Sequence, residues 1–161
     1  MKLNTNLPDS IWRNPWHFLA FGFGAGAMPV APGTFGTLIA VPVYLLLAPL
    51  SWPYYLLVVL LLLLLPGIWL CHVTARDIGV HDHSGIVWDE IVGYLLTMAA
   101  APPGWLWIVL GFILFRVFDI VKPWPIRLAD QRVSGGFGIM LDDVIAALYA
   151  WLVLQLLVLL L

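Results

Sequence analysis

The twenty residues from Tyr54 to Val73, YYLLVVLLLLLLPGIWLCHV, contain no charged side chain. A helix of that length spans the ~30 Å hydrocarbon core of a bilayer, and a soluble domain has little use for so long an uninterrupted apolar run. The rest of the chain agrees with it. Of 161 residues, 63% are hydrophobic and only 10% charged, a composition of integral membrane proteins rather than soluble globular domains. The net charge of -2, without any long basic run, gives no reason to expect nucleic acid as a partner. Cys71 stands alone, so no intramolecular disulfide can form, and it reads as a small apolar helix residue.

Four more apolar segments flank the first: Phe35 to Leu50, Val87 to Ala101, Trp105 to Val121 and Asp143 to Leu161. The expectation is therefore an all-α, integral membrane helical bundle of about five membrane-embedded helices, folded as one domain over residues 1–161. Pro66-Gly67 predicts a kink inside the first span. The polar opening segment, residues 1–16, lacks the apolar stretch and small-residue cleavage site of a signal peptide, so Met1 reads as the start of the mature chain.

Charge then orients the bundle. The turns APLSWPY and APPGW carry none, whereas Lys2, Arg13, Arg76, Arg116, Lys122, Arg127 and Arg132 all fall at the opposite side, which the positive-inside rule makes cytoplasmic. Trp52 and Trp105 mark the outer interface, and Trp12, Trp16, Trp88 and Trp124 the inner one. The acidic residues gather on the inner side too. A proton relay or transporter would hold such groups near the midplane, so this pattern points to chemistry on something at the inner surface, such as a lipid headgroup.

Four segments can carry it. In Gly22 to Leu38 (GFGAGAMPVAPGTFGTL), glycines permit close backbone approach and Ala31-Pro32-Gly33-Thr34 precedes a helix whose free N–H groups attract anions; small residues for helix packing are the equal alternative. In GIVWDEIVG, Asp89 and Glu90 sit early in a helix. One carboxylate suits the helix dipole, but two adjacent ones at the hydrocarbon boundary need cations or a metal. In Phe115 to Val133, Arg116, Asp119 and Lys122 share a helix face as a salt-bridge ladder or a binding site, and Pro123 and Pro125 turn Arg127 and Arg132 back along the interface. In Ser134 to Trp151, Asp142 and Asp143 begin the last helix; an N-cap uses one of them and leaves the other for a metal.

Carboxylates from three helix ends beside arginine and lysine suit Mg2+ and a phosphate, and phosphate-ester hydrolysis at the membrane surface follows. Rival phosphatase signatures are missing: Asp77 stands where a C-x5-R loop beginning at Cys71 needs arginine, and there is neither a D-x-D pair nor a G-x4-G-K-[ST] loop. The His81-Asp82-His83 trio reads as solvated loop rather than as metal ligands.

The four segments together, with NPWH at Asn14 to His17 and GVHDHSGIVWDEIVG, FRVFDIVKPWPIR and SGGFGIMLDD, resemble the bacterial phosphatidylglycerophosphatase A family. The resemblance implies a multi-pass inner-membrane enzyme, its site facing the cytoplasm, that converts phosphatidylglycerophosphate to phosphatidylglycerol and phosphate with Mg2+. Its motifs are matched at Asp89, Glu90, Asp119, Asp142, Asp143, Gly33, Thr34 and Gly136. The expected roles are catalysis for Asp89, Asp119 and Asp143, and Mg2+ ligation for Asp89, Glu90, Asp142 and Asp143. Substrate contacts are expected from Gly33, Thr34, Arg116, Lys122, Arg127 and Gly136. The phosphorus is attacked by an activated water or, alternatively, by an aspartate. A non-enzymatic protein binding or transporting anionic lipids is the other class; a phosphoalcohol transferase is disfavoured because the chain has no D-G step. Small-residue helix faces permit an oligomer without requiring one.

Overall fold

The computed structural model describes residues 7–80 and 83–161. Lys2, within the polar opening segment, and His81 and Asp82 of the histidine trio lie outside the described residues. Among the described residues the regular structure is entirely helical. The helices are α1 (Pro15–Ala20), α2 (Pro32–Leu47), α3 (Trp52–Val58), α4 (Leu65–Ile78), α5 (Trp88–Thr97), α6 (Trp105–Val121), α7 (Ile126–Arg132) and α8 (Gly135–Leu160).

Local sequence sets their ends. Asn14 caps α1 by accepting the Trp16 N–H at 3.0 Å, with Pro15 at the first helical position. Pro32 opens α2 in the same way, and Gly79, at φ +74°, closes α4 in the left-handed conformation that glycine tolerates.

A π-helical turn stands just before the expected kink at Pro66-Gly67. α3 and α4 are one continuous helical stretch, Trp52–Ile78, joined by a π-helical turn at Val59–Leu64. Pro66 has no N–H, and its ring crowds the carbonyl four residues back, so the ladder widens just before it. The Leu63 carbonyl accepts the Trp88 indole N–H at 3.1 Å. Trp88 is accordingly buried against Gly67 rather than facing the interface as its position in sequence suggested.

Two helical stretches, Trp52–Ile78 and Gly135–Leu160, are long and apolar enough to cross a membrane. α2 and α6 are shorter, at 16 and 17 residues. α5 has only 10 residues, about 15 Å, which is half of a hydrocarbon core. Its expected extent, Val87 to Ala101, contracts because Met98 begins a turn.

α8 is the axis of the bundle, packing against α4, α5, α6 and α7, while α2 covers α5 and α1 lies on α4. Ala146, Ala147 and Ala150 are fully buried along α8, and such small side chains let neighbouring backbones approach. Tyr94, Phe115, Leu95 and Met98 fill the space between. Buried polar tips find carbonyls: Tyr55 donates to Leu95 O at 2.7 Å, near the end of α5, and Trp151 to Ala99 O at 2.8 Å in the turn that follows. At the end of the bundle that carries the carboxylates, labelled inner after the expected orientation, Val87 N–H bonds Ala20 O at 2.9 Å and Gly26 lies against the Gly85 backbone, so the loop after α1 anchors the start of α5.

Candidate active site

Two facts about α8 decide the character of the inner end. The helix begins at Gly135 with Ser134 as its N-cap residue, so Asp142 and Asp143 lie two turns inside it and are buried, contrary to the expectation that one caps the helix. The helix carries glycines before them because neighbouring backbone leaves no room for side chains there: a Cβ on Gly136 would strike Ile68 O and the His72 backbone.

Asp142 and Asp143 face a pocket of about 270 Å³ built by five helices. α2 supplies Pro32 and Gly33, α5 Asp89 and Glu90, α6 Arg116 and Asp119, α7 Asp130, and α8 Ile139 with the two aspartates; Lys122 and Ser84 come from connecting segments. Six carboxylates thus face two cations. Crowding six such groups in a partly desolvated space favours binding of further positive charge.

Their pairing is uneven. Arg116 Nη1 lies 2.6 Å from Asp119 Oδ2, the i, i+3 contact of the expected ladder, and 3.8 Å from Glu90 Oε1. Lys122 leaves that ladder. α6 ends at Val121, Lys122 adopts the left-handed conformation at φ +46°, and its ammonium reaches Asp130 Oδ1 at 2.5 Å and Asp142 Oδ2 at 2.6 Å. Burial alone would lower the pKa of this ammonium, but the hydrogen bonds and charges of the two carboxylates together outweigh it and raise the pKa above that of a free lysine.

Asp89, Glu90 and Asp143 form the other group: one oxygen from each lies within 4.8 Å of the others. Asp89 Oδ1 accepts the Glu90 N–H at 3.1 Å. Glu90 Oε2 and Asp143 Oδ2 are buried without a hydrogen-bond partner, as is Arg116 Nε. Unpaired buried oxygens of this kind are costly unless a cation or proton joins them.

Gly33 explains how Glu90 fits. A Cβ there would collide with Glu90 Oε1 and come within 3.1 Å of Arg116 Nη2, so only glycine lets this carboxylate sit against the start of α2. The anion met by that helix N-terminus is Glu90 itself.

The pocket brings together Gly33, Asp89, Glu90, Arg116, Asp119, Lys122, Asp142 and Asp143. It does not include Thr34, Arg127 or Gly136 among its lining residues. Thr34 is half-buried beside it, Arg127 is exposed on α7, and Gly136 is packed against α4. Two participants went unread in the sequence. Thr37, one turn beyond Gly33, donates to Gly33 O at 2.9 Å and accepts from Arg116 Nη1 at 3.5 Å; its i+4 spacing was the available signal. Asp130 sits eight residues after Lys122, and only the double-proline turn between them hinted that the chain folds back. Of the histidine trio, His83 accepts the Gly85 N–H at 3.0 Å and packs on Phe21, a loop-stabilising role.

The family model for phosphatidylglycerophosphatase A matches residues 18–158. The phosphatidylglycerophosphatase A of Escherichia coli is 52% identical over 134 residues, covering 83% of this chain and 77% of the relative. That of Haemophilus influenzae is 49% identical over 154 residues, 95% of this chain and 94% of the relative. A putative phosphatidylinositol-3-phosphatase of Bacteroides thetaiotaomicron is 40% identical over 142 residues, 83% of this chain and 87% of the relative. No solved structure matches. With the family model covering nearly the whole carboxylate-bearing bundle, this chain belongs to the phosphatidylglycerophosphatase A family.

Proposed function

We propose that this chain is a Mg2+-dependent phosphatase that hydrolyses phosphatidylglycerophosphate to phosphatidylglycerol and inorganic phosphate at the cytoplasmic face of the bacterial inner membrane. The substrate follows the names of the Escherichia coli and Haemophilus influenzae relatives. The observation in this molecule that supports it most is the Asp89, Glu90 and Asp143 cluster, whose oxygens converge within 4.8 Å while two of its carboxylates keep a buried atom unpartnered. Hard carboxylate oxygens in that arrangement fit Mg2+, which leaves room in its shell for water and phosphate. Asp142 was expected as a further ligand; in this reading its Oδ2 holds the Lys122 ammonium and its other oxygen stays open to the metal.

Bound there, Mg2+ would polarise a phosphoryl oxygen and lower the pKa of a nearby water. The protein's own groups do the rest. Arg116, oriented by Asp119 and Thr37, and Lys122, oriented by Asp142, bind the remaining phosphate oxygens and stabilise charge in the transition state. We assign Asp143 as the base that takes the proton from the attacking water, because its buried Oδ2 has no other partner. The new bond joins water oxygen to phosphorus, the bond from phosphorus to the glycerol oxygen breaks, and that oxygen leaves with a proton from solvent. In the bilayer, α2, α3 with α4, α5, α6 and α8 are the five embedded helices, and α5 enters only part-way from the inner side.

The test is phosphate release from phosphatidylglycerophosphate in detergent micelles, with Mg2+ and with a chelator, for wild type and Asp89→Asn. Release that requires both Mg2+ and Asp89 supports the reading. Release indifferent to the chelator removes the metal, and no release from folded wild-type protein removes the substrate.

A further inference from the structure

We propose that Asp130 is an internal competitor for the substrate: its carboxylate holds the Lys122 ammonium until a phosphomonoester dianion takes its place. This rests on the assignment of Lys122 as a phosphate-binding group.

Three observations on α6, α7 and α8 carry it. Lys122 leaves the end of α6 in a left-handed turn followed by Pro123, which sets the point from which its side chain reaches the pocket. Two of its three protons are committed, to Asp130 Oδ1 at 2.5 Å and Asp142 Oδ2 at 2.6 Å. The two carboxylates differ in what it costs them to lose the cation. The Asp142 side chain is 9% exposed, in the interior of α8, and would be left as an uncompensated buried charge. The Asp130 side chain is 32% exposed at the pocket rim and would return to water.

A phosphate dianion reaching Lys122 would meet Asp130 on the same ammonium, with like charges a few ångströms apart. One of them must leave, and Asp130 is the one that can. Its backbone need not move, because Ile126 and Ala129 keep α7 packed on α8. A purely structural salt bridge would behave in the opposite way: removing Asp130 would loosen Lys122 and weaken phosphate binding. The sign of the effect therefore separates the two roles.

The experiment uses the full chain in detergent micelles with Mg2+, measuring KM and kcat for phosphatidylglycerophosphate and the inhibition constant of added inorganic phosphate. Asp130→Asn and Asp130→Ala are compared with wild type, the alanine form controlling for any hydrogen bond made by the new amide. Both are expected to lower KM and the phosphate inhibition constant by about 5- to 50-fold, the effect of removing one charge near a dianion in a partly solvated site, without raising kcat. Unchanged or increased constants in both variants would overturn the proposal. Lys122→Gln separates the underlying assignment: weaker phosphate inhibition supports it. Unchanged inhibition would show that Lys122 does not bind phosphate and would remove the competitor role with it, while wild-type phosphate release tests the enzyme reading independently.

Discussion

α5 and α8 each have an inner end and an outer end, and the same two helices build opposite kinds of space at each. At the inner end, Asp89, Glu90, Asp142 and Asp143 face a pocket of about 270 Å³ shared with arginine and lysine. Further out, Leu96, Ala99, Ala147, Leu148 and Trp151 line an apolar groove of about 500 Å³ with Trp52, Leu56, Leu60 and Leu64. The inner space is small and its charges are fixed by specific partners, so a change of one methyl or one charge alters what it can hold. The outer groove is larger and non-directional, and hydrocarbon of many shapes satisfies it. The inner ends should therefore be brittle and the outer ends tolerant.

The largest effect is expected at the carboxylates with unpaired oxygens. Asp143→Asn keeps the volume and removes a charge, and should reduce kcat by about 10³-fold or more while the protein still inserts and runs as a folded species in detergent. Retained turnover in a folded Asp143→Asn protein would mean that the inner pocket is no more demanding than the outer groove. Gly33→Ala comes next. Its Cβ would displace Glu90 Oε1 and crowd Arg116, so kcat should fall by about 10- to 100-fold, since misplacing a catalytic group by an ångström costs roughly that much. Equal kcat for Gly33→Ala and wild type would show that Glu90 can retreat without loss.

Gly136→Ala sharpens the contrast from another side, because it tests a residue near the site in sequence but outside it in space. The added Cβ meets backbone of α4 rather than a flexible side chain, so overpacking should destabilise the protein by about 1–3 kcal/mol, seen as a lower Tm, with kcat per folded molecule preserved. A drop in kcat without a drop in Tm would return Gly136 to the substrate-binding set. Lys122 supplies a pH prediction. Its pKa is raised in the folded protein, so its ion pairs contribute fully below the free lysine value of 10.5 and are lost only as pH rises through the still higher folded value. Activity lost between pH 7 and 10 should therefore persist unchanged in profile in Lys122→Arg, and a profile displaced by that substitution would make Lys122 the titrating group.

How much of this was legible depended on the range of the interaction involved. The apolar runs and the Asp89-Glu90 pair at a helix start are local patterns, and each of the five apolar runs holds a helix, with the α5 acids in its first turn. The Arg116 to Asp119 contact is also local, one helical turn apart, and was readable for the same reason. Lys122 was not. Extending the same face by three more residues assumes that α6 continues, whereas its end at Val121 sends Lys122 to Asp130 and Asp142. Asp142 and Asp143 looked like helix-starting residues because SGGFG reads as a loop. That segment is helical, and its glycines are there because α4 and Val133 leave no room for a Cβ, a tertiary contact that leaves no periodic trace in sequence. Trp88 failed likewise: an interfacial residue by position, it is buried with its indole N–H on a carbonyl of the π-helical turn, twenty-five residues earlier.

The smallest expected effect belongs to the outer groove. Leu148 lines it and is more than half exposed, on the turn of α8 that follows Asp143 and Val144. In a bilayer the partner of such a side chain is lipid, and alanine there exchanges protein hydrocarbon for lipid hydrocarbon rather than opening an empty cavity. Leu148→Ala should change stability by no more than about 0.5 kcal/mol and leave kcat and KM within about twofold of wild type. A large rise in KM with an unchanged Tm would break the comparison most informatively, because it would mean that the groove selects acyl chains and is part of the substrate site rather than a surface wetted by any lipid.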